Sequence, residues 1–195
     1  MEYEPLPVNF RKSPEALATY SYFDSIIGAA FIKFYLLGTL DSVGPKYHLT
    51  IDNTIASDND NQLDASGAID LDFDIDVEVP FTVAARTAIV SQPSQNAGGA
   101  PIITYTIYHV AADTTETSIG AVTTPTLSNL DRKTLQISLT RTRFKKGEKL
   151  RLNVNASSAI STWWDPTGGI SITESTSNRQ TTSQAYLLLP VEIPV

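Results

Sequence analysis

The sequence predicts an all-β protein, an antiparallel two-sheet sandwich, and three observations carry that prediction. Over 68–80 the chain reads AIDLDFDIDVEVP, with Ile69, Leu71, Phe73, Ile75, Val77 and Val79 on one parity and Asp70, Asp72, Asp74, Asp76 and Glu78 on the other. Alternation with period two is the pattern of a strand with one buried and one wet face. Threonine, serine, isoleucine, valine and tyrosine are plentiful, whereas alanine, lysine and glutamate form no helical pattern. From Ala30 onward strand-like runs follow one another, broken by glycine, proline and polar turns.

The acidic run also says how its strand must sit. Carboxylates two residues apart on a strand lie about 6.8 Å from each other. In water such a pair repels by roughly 0.6 kcal/mol, and salt weakens that further. Six buried apolar side chains on the other face contribute up to roughly 9–18 kcal/mol. Burial therefore wins, provided the acidic row meets solvent or basic groups. That requirement favours an antiparallel sheet with one wet side over a strand covered by helices on both faces.

Taken in order, residues 1–28 read as an N-terminal arm. Pro5 and Pro7 impose an extended start, and Ser13-Pro14-Glu15 supplies a cap, a first-turn proline and an early acid for a short helix over Ala16–Tyr20. A single β domain is predicted over 29–195. Its strands are expected at Ala30–Leu37, Lys46–Ile51, Ala68–Val79, Phe81–Val90, Ile102–Val110, Lys133–Leu139, around Leu150–Val154, around Ile170–Ile172 and from Leu187 onward. Asn53–Gly67 and Gln92–Pro101 read as loops, the latter containing Gly98-Gly99. Lys145–Lys149 reads as a hairpin tip, with Gly147 supplying the unusual backbone angles. Eight to ten strands on unevenly spaced loops fit a jelly-roll type of sandwich. The immunoglobulin-like alternative lacks its cysteine–tryptophan–cysteine arrangement.

Composition excludes several kinds of chemistry. A formal charge of −7 argues against a nucleic-acid binder working through a global basic field. With no cysteine there is no disulfide framework, thiol nucleophile or thiolate metal site. The opening MEYEPLPVNF shows no basic region followed by an apolar core, so no signal peptide is expected. Ser25–Leu40 is the most apolar stretch, but Lys33 and Gly38 interrupt it, and no membrane span is expected.

Candidate sites are few. Eight of the fourteen basic residues fall between Arg132 and Arg151, and nine of the twenty-one acids between Asp52 and Glu78, which suggests charge pairing across strands or between subunits. Phe10, Tyr20, Tyr22 and Phe23 in the arm, with Arg143, Lys145 and Lys146 at the basic turn, are the candidate subunit contacts. Arg141 and Arg143 share parity with Leu135, Ile137 and Leu139, so either a bulge lies near Thr140 or the strand has left the core by then. Trp163 and Trp164, beside Gly168-Gly169, are candidate glycan-stacking or interface anchors, or else a cap on the core. Asp58, Asp60 and Asp64 have the alternation of a calcium loop, but Leu63 and Ile69 stand where its glycine and bidentate glutamate belong. A solvated turn is the reading there and structural calcium the alternative; no other cofactor is expected. His48 and His109 sit in strand-like runs with no GxSxG or HExxH companion, and no carboxylate pair stands out for glycoside hydrolysis.

Several phrases resemble uncharacterised virion proteins found in environmental bacteriophage genomes. They are PLPVNFRKSPE (Pro5–Glu15), YSYFD (Tyr20–Asp24), FIKFYLLG (Phe31–Gly38), RFKKGEKLRLNV (Arg143–Val154) and LLLPVEIPV (Leu187–Val195). The resemblance covers the two ends better than the middle and carries no catalytic residues. It implies a small jelly-roll virion subunit of the decoration, minor capsid or vertex kind, non-enzymatic and assembled into particles in the host cytoplasm. Its partners would be other capsid proteins and copies of itself, a trimer by analogy. A carbohydrate-binding adhesin that contacts surface glycans through Trp163 and Trp164 is the competing expectation, and a hydrolase on the same sandwich is the third.

Overall fold

The computed structural model of the protein describes residues 30–38, 47–55, 62–175 and 177–192. Among these residues there are fifteen strands and no helix. They are β1 (Ala30–Gly38), β2 (Tyr47–Thr50), β3 (Gln62–Ala65), β4 (Ile69–Asp76), β5 (Phe81–Val83), β6 (Thr87–Asn96), β7 (Ile103–Val110) and β8 (Glu116–Thr123). Then follow β9 (Asp131–Ser138), β10 (Thr142–Phe144), β11 (Lys149–Ala156), β12 (Ile160–Trp163), β13 (Ser171–Thr173), β14 (Gln180–Thr182) and β15 (Tyr186–Glu192). The expected N-terminal arm and its helix lie outside the described residues.

Thirteen strands form one mixed sheet in the order β3-β12-β6-β15-β1-β2-β4-β11-β7-β8, with β9 on β6 and the β5–β10 pair on β15. β13 and β14 form a separate two-stranded ribbon. The large sheet is antiparallel except where β2 meets β4, a parallel contact through the single bridge His48–Asp74. The chain is thus all-β, but its strands are bonded as one large sheet rather than two. Val90, Leu187, Leu189 and Leu36 from one half share an apolar core with Phe73, Leu152, Val154 and Ile107 from the other. At the far end the halves meet again, where the Thr140 N–H donates to the Ile119 carbonyl at 2.8 Å.

β4 follows its alternation. Phe73 is fully buried, Ile69, Leu71 and Ile75 are partly buried against the core, and Asp70, Asp72 and Asp76 are exposed. Val77 ends the inward row: the strand stops at Asp76, and Val79 is an exposed apolar residue. The burial energy expected from six apolar side chains is accordingly too high for this strand.

Two local expectations are corrected by the pairing. β10 pairs with β5 and β11 with β4 and β7, so Lys145–Glu148 is a turn crossing between the two halves, not a hairpin tip. Gly147 does adopt a positive φ of 85° there. The turn is tied down by Gly147 N–H to the Val77 carbonyl (3.0 Å) and Lys145 N–H to the Glu148 carboxylate (2.7 Å). The parity conflict at Arg141 and Arg143 also resolves: β9 ends at Ser138, and β10 starts afresh with Phe144 buried.

Candidate functional site

The wet face of β4, β11, β7 and β8 brings acids, a guanidinium, amides and hydroxyls together. Its register builds three rungs across the sheet, Asp74–Arg151–Tyr108, Asp72–Asn153–Thr106 and Asp70–Asn155–Thr104. Carboxylates therefore line one side, a guanidinium and two amides the centre, and hydroxyls the other side. Leu150, Leu152 and Val154 point inward, which obliges Arg151, Asn153 and Asn155 to point out. The rungs, apart from Asp74, and Glu116 of β8 line a groove of about 410 Å³.

Arg151 organises one end. Its Nε and Nη2 donate to the two oxygens of Asp74 at 2.7 and 2.8 Å. Its Nη1 reaches Glu116 at 2.6 Å and Asp72 at 2.8 Å. Hydrogen bonds to Asp74, outweighing the cost of burial, hold the guanidinium pKa above its ordinary value. Asn153 Nδ2 donates to Asp70 at 2.6 Å and to Asp72 at 2.8 Å. Asn155, Thr106 and the Tyr108 hydroxyl line the groove without a side-chain partner among the described residues. Around the groove three carboxylates face one guanidinium, so an anionic ligand is disfavoured. No three acidic or histidine side chains among the described residues are grouped to hold a metal ion.

The sequence candidates are scattered rather than gathered. Arg143, Lys145 and Lys146 are exposed, and Lys146 Nζ lies 3.7 Å from Glu78. Lys149 pairs with Asp76 at 3.5 Å. The acidic and basic segments thus meet across adjacent strands of one chain. Trp163 and Trp164 are buried, and Trp164 packs edge-on to Tyr47 and Phe73 with ring centroids 5.5 Å away. Of the roles open to this pair, capping the core is the one its burial fits, since neither ring offers a stacking face to solvent. Asp64 lies on β3 and accepts from Gln62 Nε2 at 2.8 Å, whereas Asp58 and Asp60 lie outside the described residues, as do Phe10, Tyr20, Tyr22 and Phe23.

The His109 Nε2 lies 2.7 Å from Glu148, and its ring stands edge-on to Phe144. The Lys145 N–H and then His109 lower the Glu148 pKa. Neither histidine is hydrogen-bonded to a serine among the described residues. What the sequence reading missed is the polar row on β11 and its neighbours on β7. The signal was present, because Arg151, Asn153 and Asn155 alternate with the apolar residues that identified the strand.

No protein-family model matches the chain, and no curated protein matches it. Solved structures do share its fold. A CocE/NonD family hydrolase from Staphylococcus aureus matches 94% of this chain with a TM-score of 0.51 and 10% identity. A second structure of that hydrolase matches 85% of the chain with a TM-score of 0.54, again at 10% identity. An aminopeptidase from a marine sediment archaeon, Thaumarchaeota archaeon, matches 64% of it at 9% identity and a TM-score of 0.49. The chain covers 47% and 37% of the two hydrolase chains and 26% of the aminopeptidase. It therefore spans less than half the length of these proteins, and what it shares with the hydrolase is fold. The expectation of a non-enzymatic virion subunit, with a host-attachment adhesin as its alternative, is corrected here: the two structures above that match 94% and 85% of the chain are of a hydrolase, not of a particle component.

Proposed function

We propose that this chain forms the β-sheet part of a hydrolase and that its β4–β11–β7–β8 groove faces that protein's substrate. The observation that carries the reading is the likeness of nearly the whole chain to about half of a CocE/NonD family hydrolase. The folded sheet, with both halves on one core, is read as a jelly-roll-type sandwich. The groove supports the assignment of a substrate-facing surface because it combines fixed charges with free hydrogen-bonding groups.

The test is an activity measurement on the full gene product that contains this chain. It is assayed with acyl esters, aminoacyl esters and aminoacyl amides, beside an Asn155→Ala variant. Hydrolysis of at least one class, with a KM raised at least threefold in the variant, is the expected result. A silent panel between pH 5 and 9, or a variant indistinguishable from the parent, overturns the reading.

A further inference from the structure

Resting on that reading of the groove as substrate-facing, we infer that its ligand is a neutral polyhydroxylated group, of one or two sugar-sized rings. Three properties of the groove lead there. The first is size, since about 410 Å³ falls within the range of about 300–1,000 Å³ typical of small-molecule sites. The second is the kind of hydrogen bonding left over. Asn155, Thr106 and the Tyr108 hydroxyl have both donor and acceptor capacity, with no side-chain partner among the described residues. Asp70 adds an acceptor whose only side-chain donor there is the neutral Asn153 amide. A ligand that satisfies such a surface must donate and accept at several closely spaced points, which adjacent hydroxyls on a ring do.

The third property is charge. The carboxylates around the groove repel anions, and no group of three is arranged for a metal ion. An ammonium group would meet Asp70, but it only donates, so the hydroxyl and amide protons opposite would find no acceptor on it. Arg151 already spends its charge on Asp72, Asp74 and Glu116, so Asp70 is the carboxylate left for a ligand. At the other end the half-buried Tyr108 ring offers an apolar surface for a ring's C–H face. Trp163 and Trp164 have no part in this site, being buried in the core.

The experiment is titration calorimetry on the full chain. The probes are glucose, galactose, mannose, xylose and N-acetylglucosamine, each as monomer and dimer, with spermidine and citrate as cationic and anionic controls. The expected result is saturable binding of at least one sugar, weakened at least tenfold by Asn155→Ala and by Asp70→Asn, with no binding of citrate. Circular dichroism confirms that the exposed substitutions leave the sheet intact. Binding of spermidine alone, or of no probe, overturns the inference, as does a sugar that binds both variants as well as the parent. A protein that hydrolyses the ester or amide panel but binds no sugar keeps the proposed function and loses this ligand. Groove-dependent sugar binding with a silent hydrolysis panel does the reverse.

Discussion

The Asp74 carboxylate is almost wholly buried, and a carboxylate in that setting is costly unless a cation and hydrogen bonds meet it. Arg151 supplies both through a two-pronged contact at 2.7 and 2.8 Å, a geometry that lysine's single ammonium does not reproduce. Removing the guanidinium strands Asp74 and also releases Asp72 and Glu116, which are about half exposed and can turn to water. Breaking a fully buried pair costs about 3–5 kcal/mol, and the partial exposure here brings the expected loss for Arg151→Ala to about 2–3 kcal/mol. In a chain of this size that lowers the melting temperature by about 4–12 °C. Asp74→Asn placed on Arg151→Ala recovers part of the loss, because the stranded charge is then gone. A single variant that melts within 1 °C of the parent shows the pair to be ornamental. The charge pairing itself was legible, since an acidic strand and a basic segment of one chain had to meet something. The buried position of Asp74 was not legible, because its parity is identical to that of its exposed neighbours.

Among the elements, legibility followed alternation. β4, β11 and β15 carry apolar residues at every second position, β7 does so as far as Ile107 and β9 in its second half, and these were readable. β8, with the sequence ETSIGAVT, offers little apolar parity, β14 is polar throughout, and β3 and β12 are only four residues each, half of them polar. β6 runs on through Gln92–Asn96, where proline and polar residues argue for a loop. Gln92, Pro93 and Ser94 are buried there, and distant strands provide partners: Ser94 with Thr162 at 3.1 Å and Gln92 Oε1 accepting from the Tyr105 hydroxyl at 2.9 Å, as the preceding Ser91 meets Thr134 at 3.0 Å. Nothing local announces those contacts. Gly120 of β8 is a position where the requirement is steric. A Cβ there would stand 2.7 Å from the Ser138 carbonyl oxygen and 2.9 Å from Ile137 Cγ2. Both neighbours belong to β9, at the end of a strand held in a ladder with β6, so the backbone has little room to yield. Gly120→Ala is expected to cost about 1–3 kcal/mol, which is about 2–12 °C in melting temperature. Gly67→Ala is the control, because a Cβ at Gly67 meets nothing within 4 Å. Equal melting temperatures for the two variants would show that β8 does not press on β9.

At the scale of the whole molecule, the question is what keeps the two halves of the large sheet folded on each other. Between β2 and β4 the hydrogen-bonded ladder narrows to one bridge, which by itself orients little. The junction is instead filled by aromatic rings. Tyr47 of β2 and Phe73 of β4 have centroids 5.1 Å apart, and Trp164 stands edge-on to both. The tryptophan pair was visible in the sequence, but its ring partners are far away in the chain, and only the folded sheet brings them together. Trp164 Nε1 is buried without a hydrogen-bond partner among the described residues, so the ring acts there through packing rather than through its polar atom. Trp164→Ala therefore removes packing and leaves a cavity, at an expected cost of about 3–5 kcal/mol. That corresponds to a melting temperature lower by about 6–20 °C. Trp164→Phe, which keeps a ring but less of it, is expected to fall between. Because the loss is at the seam, hydrogen exchange in Trp164→Ala rises most in β2 and β4, while the β6–β9 ladder keeps most of its protection. Exchange that rises uniformly over the sheet, or a melting temperature within 3 °C of the parent, would show that the halves are held by the remaining core and that this aromatic joint is incidental.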